Sequence, residues 1–319
     1  LVHDLQRVLL HQLCDVVGRA AGDGRVGKGG TVAQVTHYCW FGRGPMPKVV
    51  MWCIESWKRK CPDYEIKLWN EDNFDVNSVP FVKQAYELKK YAFVADYVRI
   101  YALYHEGGIY LDSDEYVLKN FDNLLNNRVV SSYEYYPGMY EQIRENVDFS
   151  TNLGKGKDKW INNAGLSLCA APLLSESNHP FIKDCLDYYD THEFLYNPGN
   201  GLDREQIIGC LITRCGIKYG YTYNINNHDL NEGIKVLGPE AFILNSLFFD
   251  SKKSYVVHMA LNSWKERINQ SSWSKKLLRI SPSLSFQLLK ALCLLRRIKH
   301  LFLSQEERDK RKGNFPEFK

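Results

Sequence analysis

Residues 91–118, YAFVADYVRIYALYHEGGIYLDSDEYVL, carry the stretch whose reading decides the fold. Between Tyr91 and Tyr104 the only charged residues are Asp96 and Arg99, set among Phe93, Val94, Tyr97, Val98, Ile100, Tyr101 and Leu103. Such a segment reads as a helix that is apolar nearly all round and therefore largely buried. Gly107 and Gly108 stop it. Ile109, Tyr110 and Leu111 then form a short apolar strand that runs into Asp112-Ser113-Asp114. A buried helix feeding a buried strand is the unit from which an α/β sheet is built.

Working outward, TVAQVTHYCWFG (31–42) reads as a first β-rich run, 46–60 as a helix, and YEIKLW (64–69) as a second strand. Residues 80–106 read as one helical stretch with Pro80 at its start. Further strands are expected at 128–136, 164–171, 234–237 and 254–259, and helices at 180–190 and 203–214. These elements make one mixed α/β domain over 31–265. It is preceded by an N-terminal extension and linker (1–30) and followed by a basic amphipathic tail (266–319). The chain opens on Leu1, which suggests a fragment or a non-native start.

The 319 residues are 45% apolar and 13% aromatic, which excludes disordered, collagenous and coiled-coil classes. The net charge of +4 is unevenly placed. Residues 275–303 hold seven basic residues (Lys275, Lys276, Arg279, Lys290, Arg296, Arg297, Lys299) and no acidic one, so the remainder carries −3. The basic balance thus describes a tail and not a body that binds nucleic acid. Nine cysteines without a C-x-x-C pair suggest buried reduced thiols in a cytosolic chain. No secretory leader and no uninterrupted apolar span of membrane length is visible, so a soluble chain is expected.

Gly22, Gly24 and Gly27 match dinucleotide-loop spacing, and Lys28 nearly completes a P-loop. Both motifs need a strand before and a helix after. Here a helical run precedes and a strand follows, so 21–30 reads as a linker. Asp112 and Asp114 are the sharper feature. Two apart on a strand, their carboxylates would share a face, and ligands of open α/β sheets bind at strand carboxyl ends. Hard divalent cations such as Mn2+ or Mg2+ take oxygen ligands of this kind. Asp96 and Arg99 are i,i+3 neighbours that form either a structural ion pair or a polar patch suited to hydroxyls and anionic oxygens. Trp40 closes the first strand, as core packing or as a platform for a flat base. His258 ends the strand Val256–His258, as a core histidine or as a metal or phosphate ligand.

Taken together, these residues resemble glycosyltransferase family 32 in its capsular-polysaccharide-synthesis branch. The resemblance is dense over 37–125 and looser over 162–189 and around VVHMALNSW, and the catalytic segment of the glucosylating toxins is similar over the same motifs. It implies a GT-A fold, a UDP- or GDP-sugar donor, Mn2+ or Mg2+, and retention of anomeric configuration. By position, Asp112 and Asp114 would hold the metal on the diphosphate, with Ser113 beside them. Asp96 and Arg99 would contact the donor sugar, Trp40 would stack on the base, and Tyr110 would lie beside the donor. Trp264 and His258 would belong to a closing C-terminal segment. The acceptor expected is a glycan or lipid-linked glycan, and the basic amphipathic tail would place such an enzyme at the inner face of the cytoplasmic membrane.

Two other readings compete. A haloacid-dehalogenase-like phosphohydrolase would use Asp112 as nucleophile and Asp114 as general acid, but Tyr116 stands where that signature expects Thr or Val. A non-catalytic membrane-surface adaptor would use the tail, where Leu284, Leu288, Leu292, Leu295 and Phe302 accompany basic residues in an amphipathic pattern.

Overall fold

A computed structural model describes residues 32–144, 147–148, 153–154, 165–197, 201–202, 206–243, 250, 252–259, 280–288 and 290–291. In chain order the elements are β1 (Val35–Cys39), α1 (Lys48–Lys60), β2 (Glu65–Trp69), α2 (Pro80–Glu87), α3 (Tyr91–Glu106), β3 (Gly108–Tyr110), β4 (Glu115–Val117) and β5 (Val129–Tyr135). There follow α4 (Pro137–Arg144), β6 (Val147–Asp148), β7 (Leu153–Gly154), β8 (Leu166–Leu168), β9 (Leu173–Ser175) and α5 (Pro180–Thr191). The last are β10 (Tyr196–Asn197), β11 (Gly201–Leu202), α6 (Ile208–Lys218), β12 (Asp229–Leu230), β13 (Ile234–Leu237), β14 (Phe242–Ile243) and β15 (Val256–His258).

The main sheet runs β12-β13-β5-β9-β3-β1-β2, with β8 paired to β5. Strands β2, β1, β3, β5 and β13 point one way, while β9, β12 and β8 run against them. A mixed sheet flanked by helices is the architecture expected from the sequence. A smaller sheet, β14-β15-β4, lies beside it, and β6–β7 and β10–β11 are short ribbons.

Side chains alternate across a strand, and here they divide two hydrophobic clusters. Cys39, Tyr110, Val129 and Leu173 join α2, α3, α5 and α6 on one face. Their neighbours Tyr38, Ile109, Val130 and Leu174 join α1 and the small sheet on the other. The strands are therefore buried on both faces, and each fully buried large side chain contributes roughly 1.5–3 kcal/mol.

Two local readings are corrected. The stretch 80–106 is two helices, because α2 ends in a Schellman turn. Lys89 adopts φ 57°, the Lys90 N–H donates to Ala85 O at 2.8 Å, and the Lys89 N–H donates to Tyr86 O at 2.9 Å. A lysine stands where glycine usually marks such a stop, so the sequence hides it. Pro80 does open its helix. Second, Asp112 and Asp114 do not share a strand face. The strand ends at Tyr110, and the Glu115 N–H donates to Asp112 O at 3.0 Å, closing a turn that leads into β4.

Cys39, Cys53, Cys61, Cys169 and Cys185 are buried and unpaired. The glycine-rich linker, Trp264 and most of the basic tail lie outside the described residues. Among the described residues no helix is long and apolar enough to cross a membrane.

Candidate active site

The site is built where α3, β3 and β15 meet. Asp96 and Arg99 lie one turn apart on α3 and are both buried. Arg99 Nη2 donates to Asp96 Oδ1 at 3.1 Å and to Asp112 Oδ1 at 2.9 Å, and Nη1 donates to Ala170 O at 2.9 Å. The guanidinium also stacks 4.4 Å from the centre of the Tyr110 ring. The ion pair expected from i,i+3 spacing is therefore present, and it reaches the first aspartate of the D-x-D.

Register explains why His258 arrives here. β15 pairs antiparallel with β4, placing His258 opposite Glu115. His258 Nε2 lies 3.3 Å from Asp114 Oδ1 and 3.7 Å from Asp112 Oδ2. The turn thus brings both carboxylates to one imidazole.

Electrostatics separates these groups. Burial raises the Asp96 pKa to about 7 against the opposing pull of Arg99, with Asp112 adding to the rise. Burial also pushes Asp112 upward, but Arg99 and then His258 outweigh it and hold that carboxyl below the usual range. Burial by itself would lower His258, yet Asp114, Asp112 and Glu115 raise it to about 10, so the imidazole is cationic. The Glu115 carboxyl is pushed well up, first by burial and then by Asp112 and Asp114, against the pull of His258. Its Oε2 accepts from the Asp112 N–H at 3.0 Å and so helps fix the turn.

A cavity of about 610 Å³ is lined by Trp40, Asp96, Arg99, Tyr110, Asp112, Ser113, Asp114 and His258, so eight of the nine sequence-expected site residues share it. The ninth, Trp264, lies outside the described residues. Trp40 is partly exposed at the end of β1, and its indole N–H donates to Gly44 O at 2.7 Å.

Three residues were missed by sequence reasoning: Glu115, Glu134 and His37. Glu134 also lines the cavity and lies on β5, where simple alternation set it apart from Tyr133 and Tyr135. His37 sits beneath the site. The indole N–H of Trp69 donates to His37 Nδ1 at 3.1 Å, so the proton is on Nε2, which donates to Gly107 O at 2.8 Å.

The lining carries four carboxyl groups (Asp96, Asp112, Asp114, Glu134) against two cations, Arg99 and His258. An excess of hard oxygen donors of this kind fits a divalent cation. Among the described residues no three His, Cys, Asp or Glu side chains form a closed ligand set. A cation held by Asp112 and Asp114 would therefore complete its shell from phosphate oxygens and water.

Residues 47–130 match the family model for the glycosyltransferase sugar-binding region containing DXD motif. Over those residues the chain is similar to that family, and the D-x-D of the description falls on Asp112 and Asp114. Glucan organizing enzyme 1 of Cryptococcus neoformans var. grubii is 35% identical over 109 residues, covering 33% of this chain and 24% of that protein. Inositol phosphoceramide mannosyltransferase 2 of Schizosaccharomyces pombe is 27% identical over 144 residues, 37% of this chain and 40% of that protein. The matches therefore span well under half the length of these relatives. Among solved structures, the PaToxG glycosyltransferase aligns with a TM-score of 0.41 at 17% identity, over 59% of this chain and 69% of that one.

Proposed function

We propose that the chain is a metal-dependent glycosyltransferase that moves a hexose from a UDP- or GDP-sugar to a glycan or lipid-linked glycan. The observation that carries this reading is the meeting of Asp112, Asp114 and His258 in one cavity with Asp96, Arg99 and Trp40. A nucleoside diphosphate would not enter a cavity of excess negative charge without a compensating cation. That is the physical argument for Mn2+ or Mg2+ held by Asp112 and Asp114, with His258 as a third ligand once deprotonated. When bound, such an ion neutralises the diphosphate and stabilises it as a leaving group.

The chain's own residues then have separable tasks. Trp40 offers its ring to the base. Arg99 fixes Asp112 and adds positive charge near the departing phosphate. Asp96, half-compensated by the same guanidinium, accepts from sugar hydroxyls and counters positive charge on the reacting sugar. Tyr110 packs beneath Arg99 and holds the guanidinium plane. With retention of configuration, a donor phosphate oxygen can take the acceptor's proton, and no protein base is required.

The resemblance over 37–125 supports a place in capsular or surface polysaccharide synthesis. The name of the inositol phosphoceramide mannosyltransferase favours an acceptor at a membrane. The C-terminal segment supports a peripheral position on an anionic inner leaflet. Residues 282–288 are helical, and Phe286 packs on Trp52 and Tyr116 with ring centres 5.8 and 4.8 Å apart. Ile280, Leu284 and Leu288 meanwhile stay exposed at four-residue spacing next to the basic run. The phosphohydrolase alternative requires Asp112 to be a free nucleophile, and both its oxygens are instead engaged by Arg99 and His258.

The reading is tested by thermal unfolding with UDP or GDP, with and without Mn2+. Stabilisation that needs both nucleotide and metal, and that disappears in Asp112→Asn/Asp114→Asn, is expected. Equal melting temperatures under all conditions would remove the donor site.

A further inference from the structure

Among the carboxylates that line the cavity, Glu134 stands on β5, apart from the α3 pair and the D-x-D turn. Tyr133 and Tyr135 join the large helical cluster, so Glu134 between them projects to the other side of β5, into the cavity. Its Oε1 accepts from the Tyr136 hydroxyl at 2.9 Å. Its Oε2 faces Ser167 Oγ, on the paired strand β8, at 3.4 Å. An O–H···O bond is ordinarily about 2.7–2.8 Å long, so Oε2 is under-satisfied. Neither cation of the lining bonds Glu134 in the contacts that hold it: Arg99 holds Asp96, Asp112 and Ala170 O, and His258 lies against Asp112 and Asp114, although its charge draws on Glu134 against the rise caused by burial. An acceptor-only oxygen on the wall of a polar cavity calls for a neutral hydroxyl donor.

We infer that Glu134, through Oε2, accepts a hydrogen bond from a hydroxyl of the hexose carried by the nucleotide donor, and so helps to select that sugar. The inference rests on the donor-site reading. It adds a specificity-determining residue on β5 to the α3 pair Asp96–Arg99, so the sugar is read from two separate elements. Tyr136 positions the Glu134 carboxylate from the other side. A site that hydrogen-bonds one hydroxyl discriminates strongly against sugars that present it elsewhere.

The test compares Glu134→Gln with wild type by calorimetry, using UDP-glucose, UDP-galactose and GDP-mannose, each against its own bare nucleoside diphosphate, all with Mn2+. Affinity for the favoured sugar nucleotide should fall about tenfold or more, as loss of a charge-assisted hydrogen bond implies, while affinity for the bare diphosphate stays unchanged. Glu134→Asp, which keeps the charge but withdraws the oxygen, should behave alike and serves if the amide variant folds poorly. Unchanged sugar-nucleotide affinity in a variant that still binds the diphosphate overturns the inference alone. A wild type that binds none of the diphosphates with Mn2+ overturns the donor-site reading and this inference with it.

Discussion

Arg99, in the middle of α3, donates to Asp112 Oδ1 at 2.9 Å and so ties the buried helix to the turn that carries the D-x-D. The same Nη2 holds Asp96 at 3.1 Å. One guanidinium compensates two carboxylates, and its own side chain is 5% exposed. Removing it leaves buried charge without a partner, a change that typically costs about 3–5 kcal/mol. Arg99→Ala should lose stability of that order in urea unfolding at neutral pH, and a loss under about 1 kcal/mol would show the two carboxylates to be solvated instead.

His37 gives a pH signature separate from the site's acids. Burial lowers its pKa from 6.5 to about 4, against the hydrogen bond to Gly107 that favours the charged form. The unfolded chain therefore binds the proton more readily than the folded one. The stabilisation from neutral His37 is complete above pH 6.5 and is lost as the pH falls toward about 4, a total on the order of 3 kcal/mol. Urea unfolding of wild type and His37→Gln at pH 7.5 and 4.5 checks this. The variant should lose less stability between the two pH values, and parallel losses would assign the acid sensitivity elsewhere.

Gly108 opens β3 at φ 104°, and a Cβ there would sit 2.6 Å from Val35 O. Both the left-handed backbone and the contact with β1 oppose a side chain. Gly108→Ala should destabilise by about 2 kcal/mol or more and should weaken donor binding as well, because the displaced strand leads straight to Asp112. Melting temperature and UDP or GDP titration with Mn2+ report the two effects. A variant with wild-type values in both would show that β3 can shift without consequence.

Phe286 is 4% exposed and packs edge-on against Trp52 and at a tilt against Tyr116, which are themselves stacked with ring centres 4.2 Å apart. Truncation to Ala removes an aromatic anchor from α1 and β4. The expected result is faster amide exchange over 282–288 with the core of the sheet unaffected. Unaltered exchange over that segment would mean that other contacts dock it.

Much of this was legible in the sequence because burial leaves a plain record. The apolar run of α3 and the tripeptide Ile109–Leu111 announced a buried helix and strand, and the i,i+3 spacing of Asp96 and Arg99 announced their pairing. The break between α2 and α3 was hidden, since Lys89 takes a conformation that only glycine advertises. The convergence of Asp112 and Asp114 was expected from a strand pleat and arises from a turn. That turn depends on Glu115, whose buried carboxyl bonds the Asp112 amide, and nothing in the string DSDE distinguishes that role from a solvated acid. Glu134 and His37 were invisible for a related reason. Each acquires its meaning from partners far along the chain, Ser167 for one and Trp69 with Gly107 for the other.

The most direct measurement is turnover. Purified protein with Mn2+ and a panel of UDP- and GDP-sugars, offered oligosaccharide and lipid-linked glycan acceptors, is followed by release of the nucleoside diphosphate. Release is expected from one sugar nucleotide, abolished by chelation and reduced at least about a hundredfold in Asp112→Asn/Asp114→Asn, as loss of metal-borne charge stabilisation of several kcal/mol requires. Release that persists undiminished in the double variant, or under chelation, would contradict the assignment of Asp112 and Asp114 as the group that holds the donor's diphosphate.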